Sequence, residues 1–180
     1  YAHEIREKSQ AILTTAKTII KDNPRLTIRK KNKITKHLPI IVIDRNLKIP
    51  LDAKILKERS KKRIIIFTSK KNKKMEKLKQ IGCEIEIQKE NKNGIFNLNK
   101  IFHQIYKLKI SDILIEAGGI FFTNLLKDNL VDEFHLFRSN FNIGKRGKPM
   151  LVNQKLSNLN LSLINKKQFT NNFYYKYYIK

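Results

Sequence analysis

Residues 113–126 (ILIEAGGIFFTNLL) constrain the fold more than any other part of the chain. A short apolar run ends at the carboxylate of Glu116, two glycines follow, and the apolar residues then recur at helical spacing. This predicts a strand buried on both faces at the centre of an α/β sheet, then a turn and a helix. Gly118 and Gly119 would permit positive φ and close approach of the backbone. The unpaired N–H groups of a helix start favour an anion such as phosphate, whereas the alternative is a plain tight turn.

The alternation of strand and helix continues along most of the chain. Strands are predicted at residues 11–13, 26–28, 39–44, 63–68 and 83–87, and helices at 4–10, 16–20, 73–81, 96–108 and 120–126. Residues 30–36 and 144–147 predict basic loops. After residue 129, segments 132–137, 156–164 and 169–179 predict antiparallel strands. The sequence therefore predicts an α/β fold with a mostly parallel central sheet, helices on both faces, and antiparallel C-terminal strands.

The composition fits a single domain with a strong basic excess. The 180 residues are 41% hydrophobic, which suffices for a core, and the formal net charge is +24. Such a charge is typical of proteins that bind nucleic acid. The excess is mostly lysine spread over the whole length, together with isoleucine and asparagine, and all three have codons rich in A and T. We favour compositional drift over a polyanionic partner and expect no specific nucleic-acid binding.

Cysteine and histidine usage argues against a disulfide and a metal site. Cys83 is the only cysteine, so no internal disulfide forms, and a reducing compartment is expected. The four histidines lie far apart and lack the short spacings of zinc ligands.

No apolar run approaches the ~18 residues that span a bilayer, and the first residues lack a signal-peptide pattern. We therefore expect a cytoplasmic protein with no metal and no membrane contact.

Three stretches carry a resemblance to a known family: residues 6–29 (REKSQAILTTAKTIIKDNPRLTIR), 39–44 (PIIVID) and 113–132. In these the sequence resembles the reductase domain of bacterial riboflavin-biosynthesis deaminase-reductases, which has a dihydrofolate-reductase-like fold. The resemblance implies that NADPH reduces 5-amino-6-(5-phosphoribosylamino)uracil to its ribitylamino form. Hydride would go to C1′ of the sugar in its open, imine-like state.

The resemblance also implies residue roles. Expected substrate contacts are Arg6, Leu26, Arg29 and Glu116. Expected cofactor contacts are Thr18, Asp22, Gly118, Gly119, Ile120, Phe121, Phe122, Thr123 and Asn124. An arginine fork suits a sugar phosphate, and a carboxylate accepts the N–H groups of an aminouracil. No side chain is an obvious proton donor, so positioning of the nicotinamide against C1′ would carry the catalysis.

The sequence departs from the family pattern in two respects. Residue 45 is arginine, where the family often has a serine that touches the cofactor; it is either harmless or a further phosphate contact. The chain starts inside the family's first helix, so the first strand and the deaminase domain are not seen and deamination is not expected of it. A homodimer and a separate deaminase protein are candidate partners. The alternative functions are a related pteridine or folate-type reductase and a basic nucleic-acid-binding domain.

Overall fold

The computed structural model describes residues 1–31, 33–141, 144 and 147–180. The chain divides into two compact units, Tyr1–Gly118 and Gly119–Lys180. The first unit contains a parallel sheet and the second an antiparallel one. Parts of the two predicted basic loops, residue 32 and residues 145 and 146, lie outside the described residues.

The first unit alternates helices and strands, as the sequence predicts. Its helices are α1 (Ala2–Lys8), α2 (Ala16–Asp22), α3 (Lys54–Lys57), α4 (Lys73–Gln80) and α5 (Leu98–Lys107). Its strands are β1 (Ala11–Thr15), β2 (Ile28–Lys30), β3 (Lys33–Lys36), β4 (Ile40–Ile43), β5 (Ile64–Thr68), β6 (Glu84–Ile87) and β7 (Ile113–Ile115).

Five of these strands form one sheet in the order β6-β5-β4-β1-β7, and all its neighbours run parallel. Leu13 in β1 lies opposite Ile41 in β4 and Ile115 in β7, which fixes the register. β1, β4 and β5 are continuous apolar runs that are almost entirely buried, as strands covered on both faces must be. The predicted mostly parallel α/β sheet is confirmed.

The predicted position of β7 is wrong. We expected a central strand buried on both faces, but β7 is the outermost strand of the five-stranded sheet and its three residues are only half-buried. A run of three apolar residues contains too little pattern to separate a central strand from an edge strand. The strand, turn and helix predicted for residues 113–126 are themselves present.

Two local predictions before β4 are also wrong. Leu26 was expected to be extended, but its backbone adopts the left-handed conformation with φ +52°. Residues 33–36, predicted as a loop, form β3, which pairs antiparallel with β2. The basic side chains of β3 are exposed, so its sequence carries no alternation that would reveal a strand.

The second unit consists of α6 (Gly119–Lys127) and the strands β8 (Glu133–Ser139), β9 (Leu161–Phe169) and β10 (Asn172–Ile179). The strands form an antiparallel sheet in the order β8-β10-β9, which confirms the predicted antiparallel C-terminal strands. β9 starts later than expected, because Leu156–Asn158 form a 3₁₀ turn. On β10, the rings of Tyr175 and Tyr177 stack at a centroid distance of 6.0 Å.

The start of α6 depends on Gly119. A Cβ at this position would lie 2.4 Å from the carbonyl oxygen of Met150. Neither Gly118 nor Gly119 has a positive φ, so the expected use of left-handed glycine is wrong, whereas the expected close approach of the backbone occurs at Gly119. At Gly118 a Cβ would meet nothing within 4 Å. Packing thus requires a glycine at position 119, whereas no described neighbour requires one at position 118.

Thr123 holds the backbone segment of Met150 and Val152 against α6. Its buried hydroxyl donates to the carbonyl of Gly119 at 2.8 Å and accepts the N–H of Val152 at 3.0 Å. Because both bonds of the hydroxyl are internal to this unit, Thr123 has a structural role whatever else it contacts.

None of the helices in the described residues is long and apolar enough to cross a membrane. The described histidine, cysteine, aspartate and glutamate side chains also form no group of three or more that could hold a metal ion. Cys83 is buried in the core, as expected.

The two glycines give a direct test of this packing. Gly119→Ala should lower the free energy of unfolding by about 1–3 kcal/mol, because the new methyl group would collide with a backbone carbonyl. Gly118→Ala is the matched control and should leave stability unchanged or raise it by up to about 1 kcal/mol. Urea denaturation of both variants measures the difference. Equal losses at the two positions would show that the close approach at Gly119 is not a constraint.

Candidate active site

The strand order points to the carboxyl ends of β1 and β7. β4, β5 and β6 are added successively on one side of β1, whereas β7 lies on its other side. In open α/β sheets, ligands bind outside the carboxyl ends of strands at the point where the order reverses. Glu116 directly follows β7, and Thr14 and Thr15 end β1. The candidate site in the first unit is therefore built around these residues.

Arg6 and Glu116, both predicted substrate contacts, pair with each other. Nε of Arg6 donates to Oε1 of Glu116 at 2.6 Å and Nη2 donates to Oε2 at 2.8 Å. The side chains are 16% and 30% exposed, so the pair is partly buried. Nη1 of Arg6 donates to the carbonyl of Thr27 at 2.9 Å. Two parallel charge-assisted bonds fix the plane of the carboxylate and leave its outer lone pairs for a further donor.

The backbone of Glu116 is fixed as firmly as its side chain. Its N–H donates to the carbonyl of Leu13 at 2.8 Å, and its carbonyl accepts the hydroxyl of Thr14 at 2.7 Å. Thr14 is fully buried, so this polar contact is shielded from water. The carboxylate therefore stands on a rigid strand end and not on a loose loop.

Arg29 is exposed on β2, and its amide N–H donates to Nδ1 of His3 at 3.2 Å. Within the described part of the chain, its guanidinium makes no ion pair, whereas the neighbouring Lys30 pairs with Glu7 at 3.0 Å. Burial lowers the pKa of His3 below its usual value, and the charges of Arg6 and Arg29 lower it further. Arg29 is therefore a cation available for an anionic ligand.

The remaining predicted contact residues of the first unit lie in α2 or in the segment after it: Thr18, Asp22 and Leu26. Thr18 lies in the first turn of α2, where its N–H and its hydroxyl are hydrogen-bonded to the hydroxyl of Thr15 at 3.3 and 3.1 Å. Asp22 ends the helix and is exposed. Leu26 is 4% exposed, so its side chain belongs to the core and its backbone is the part left for a ligand.

The predicted cofactor loop, residues 118–124, is divided between accessible and packed positions. Gly118, Ile120 and Asn124 are exposed. Phe122 stacks on Phe134 at 5.2 Å, and Thr123 is buried. The first turn of α6 contains no acidic residue that would repel an anion. The open Gly118 and the start of a nine-residue helix are compatible with a phosphate group.

Arg45 has a defined place after β4. Its guanidinium donates to the carbonyl of Gly94, and its own carbonyl accepts the hydroxyl of Ser69 at 3.0 Å. The same hydroxyl also contacts the carboxylate of Glu90, and its one proton is shared between these two acceptors. Arg45 therefore ties together the loops that follow β4, β5 and β6, which gives it a structural role that the sequence did not reveal.

His3, Thr14 and Thr27 belong to the candidate site but were not predicted from the sequence. His3 lies three residues before Arg6 in α1, the spacing that places two side chains on one helix face. That spacing was the only available signal, since the contacts of Thr14 and Thr27 to Glu116 and Arg6 join segments far apart in the chain.

Comparison with known proteins identifies the family. Residues 1–175 match the family model of the RibD C-terminal domain. The riboflavin biosynthesis protein RibD of Aquifex aeolicus is 36% identical over 137 residues, covering 76% of this chain and 36% of the relative. The 2,5-diamino-6-ribosylamino-4(3H)-pyrimidinone 5′-phosphate reductase of the same organism is 29% identical over 167 residues, covering 88% and 71%.

A relative from Buchnera aphidicola (Acyrthosiphon pisum strain), named 5-amino-6-(5-phosphoribosylamino)uracil reductase, is 30% identical over 165 residues, covering 85% of this chain and 77% of the relative. The solved structure of Acinetobacter baumannii RibD is similar in fold, with a TM-score of 0.83 at 20% identity over 99% of this chain and 49% of that one. The chain thus spans about a third to a half of the RibD proteins it matches. The resemblance expected from the sequence is confirmed, and the chain belongs to the RibD C-terminal domain family.

Proposed function

We propose that this chain is a reductase of riboflavin biosynthesis that uses NADPH to reduce 5-amino-6-(5-phosphoribosylamino)uracil to its ribitylamino form. Family membership and the reductase names of two relatives support the reaction class. The observation that carries the proposal is the carboxylate of Glu116, held by Arg6 at the carboxyl end of β7, in the same unit as the uncommitted cation of Arg29. A fixed hydrogen-bond acceptor and a free cation match an aminopyrimidine with a phosphate.

The proposed substrate contacts divide into a pyrimidine side and a phosphate side. Glu116 would accept N–H groups of the aminouracil through the lone pairs that Arg6 leaves free. Arg29 would bind the 5′-phosphate through its guanidinium fork. Arg6 would act through Glu116, because its guanidinium already donates to that carboxylate and to the carbonyl of Thr27. The backbone near Leu26 would line the same substrate.

The proposed cofactor contacts are Thr18, Asp22 and residues 118–124. The open backbone at Gly118 and the acid-free first turn of α6 fit a dinucleotide phosphate. NADPH would supply the hydride that reaches C1′. The chain would contribute the positioning of the nicotinamide against C1′.

A pteridine or folate-type reductase remains the alternative on the same fold. It differs in its substrate, which has no sugar phosphate, and the free cation of Arg29 favours the phosphorylated substrate. The diamino form of the pyrimidine, named for the Aquifex reductase, is the other substrate to compare. A second copy of the chain and a separate deaminase protein are the proposed partners.

Arg29→Ala tests the phosphate contact. The Michaelis constant for the phosphorylated substrate should rise roughly ten- to a hundredfold, the effect of losing about 1.5–3 kcal/mol of charge-assisted hydrogen bonding. The weak activity on the dephosphorylated analogue should hardly change. Lys30→Ala is the matched control, since its ammonium group already pairs with Glu7, and it should alter only the salt dependence. Equal impairment of both substrates by Arg29→Ala would place Arg29 outside the phosphate site.

Glu116→Gln tests the pyrimidine contact. Turnover should fall roughly ten- to a hundredfold while NADPH affinity stays nearly constant, because a neutral amide replaces the charged acceptor. Glu84→Gln is the matched control: Glu84 makes the same two-bond pair with Arg63, at 2.6 and 2.7 Å, but at the amino end of β6. Steady-state kinetics and a titration with NADPH measure both variants. Normal turnover in Glu116→Gln would reduce this residue to a structural strand end.

Cofactor choice and the role of Gly118 can be tested together. The protein should bind NADPH more tightly than NADH in a fluorescence titration. Gly118→Val should weaken NADPH binding by roughly tenfold or more, a change of about 1.4 kcal/mol, because the side chain would block the approach of the pyrophosphate. The variant should fold normally, since a Cβ meets no described atom there. Equal affinities for the two cofactors, or an unaffected variant, would contradict the assignment.

A further inference from the structure

Helix α1 holds the segment that carries Arg29 at two points. Arg6 donates to the carbonyl of Thr27 at 2.9 Å, and Nδ1 of His3 accepts the N–H of Arg29 at 3.2 Å. His3 and Arg6 are three residues apart and share a helix face. One helix face thus fixes both the residue that precedes β2 and the backbone of Arg29 within it.

The contact with Arg29 requires an unprotonated Nδ1, because a protonated ring nitrogen donates and cannot accept. A neutral His3 therefore has its proton on Nε2. Burial lowers the pKa of His3, as do the charges of Arg6 and Arg29, while a hydrogen bond with the backbone of Thr27 raises it.

Among the other charged groups on the same elements, two are paired, whereas Glu4 and Lys8 on α1 make no ion pair within the described residues. Glu7 on α1 binds Lys30 on β2, and Glu116 after β7 binds Arg6. His3 is thus in a net cationic environment that keeps the ring neutral, and the acceptor present, at neutral pH.

We propose that His3 is a positioning residue for phosphate recognition: its neutral ring fixes the backbone of Arg29 so that the guanidinium is presented to a phosphate monoester. The inference rests on the proposed function, in which Arg29 binds the 5′-phosphate of the substrate. Pairing with Ile34 of β3 also holds the backbone of Arg29, but this strand is short and exposed, and the bond to His3 removes part of the remaining freedom of the backbone. Protonation of His3 removes the acceptor and so loosens the backbone of Arg29.

Two substitutions of His3 separate positioning from general stability. In His3→Asn, Oδ1 takes the place of Nδ1 at the same number of bonds from Cα, so the acceptor is kept without a titratable group. In His3→Gln the acceptor moves one bond further out. His3→Asn should retain the Michaelis constant for the phosphorylated substrate, and His3→Gln should raise it about three- to tenfold, the effect of one lost neutral hydrogen bond, with an unchanged kcat.

The dephosphorylated analogue should show no difference between these variants, because only phosphate recognition is changed. His103→Gln on α5 is a matched exposed control and should behave as the wild type. The pH profile supplies a readout that a merely structural role would not move. For the wild type, the Michaelis constant for the phosphorylated substrate should rise as the pH falls through the lowered pKa of His3, below 6.5.

His3→Asn should lack this additional rise. Ionisation of the substrate phosphate near pH 6 affects both proteins alike, so the difference between them isolates His3. The amide resonance of Arg29 in ¹⁵N-labelled protein gives a second measurement that needs no activity. It should titrate with the pKa of His3 in the wild type and stay constant in His3→Asn.

The outcomes distinguish this inference from the proposed function. If Arg29→Ala selectively impairs the phosphorylated substrate but His3→Asn and His3→Gln behave alike, the role of His3 is overturned and the function stands. If the wild type does not discriminate between phosphorylated and dephosphorylated substrates, the phosphate assignment fails and the inference fails with it. An Arg29 amide resonance that does not titrate also overturns the positioning by His3.

Discussion

The two-bond pair between Arg6 and Glu116 is the interaction on which the rest of the candidate site depends. It joins α1 to the end of β7 across 110 positions of sequence, and through Nη1 it also holds the carbonyl of Thr27. Because both side chains are partly buried, removing either one would leave a charge with incomplete solvation. The same carboxylate lies at the carboxyl end of β7, beside β1, where the sheet order reverses. The group that supports the structure here is thus also the proposed acceptor for the ligand.

This arrangement explains why two similar arginines have different roles. The side chain of Arg6 binds protein groups, so its proposed contribution to a ligand is to orient Glu116. Arg29 lies on an exposed hairpin strand, where His3 and the pairing with β3 hold its backbone. The distinction between the arginines lies in their partners and not in their residue type. The basic charge of the whole chain does not reveal this difference between the arginines, since most of the lysines are exposed.

The sequence predicted those parts of the fold that depend on local pattern. The apolar runs of β1, β4 and β5 and the spacing of Leu98, Ile101 and Ile105 in α5 contain enough residues to define strand and helix. It did not predict the edge position of β7, because three residues cannot specify a place in a sheet. The strand β3 was missed because pairing in a short polar hairpin leaves no local pattern, and the left-handed backbone of the buried Leu26, which precedes that hairpin, has no signal in the residue type.

Some residues of the candidate site were proposed from the sequence, but their contacts with one another and with their neighbours were not. Arg6, Arg29 and Glu116 came from the resemblance, whereas their partners His3, Thr27 and Thr14 are evident only when distant segments are folded together. The aromatic C-terminal stretch also depends on contacts within the fold. Neighbouring tyrosines can stack bases in a protein that binds single-stranded nucleic acid, but here Tyr174 is buried, and Tyr175 and Tyr177 stack on each other within the sheet.

Isotope transfer is the most direct test of the proposed hydride transfer from NADPH to C1′ of the substrate. The protein would be incubated with NADPH deuterated at the transferable C4 position and with 5-amino-6-(5-phosphoribosylamino)uracil, and the product would be analysed by mass spectrometry and NMR. If NADPH transfers its hydride to C1′, the ribitylamino product carries one deuterium at C1′ for each NADPH oxidised. Cofactor oxidation without deuterium at C1′, or no oxidation with saturating substrate and folded protein, would contradict it.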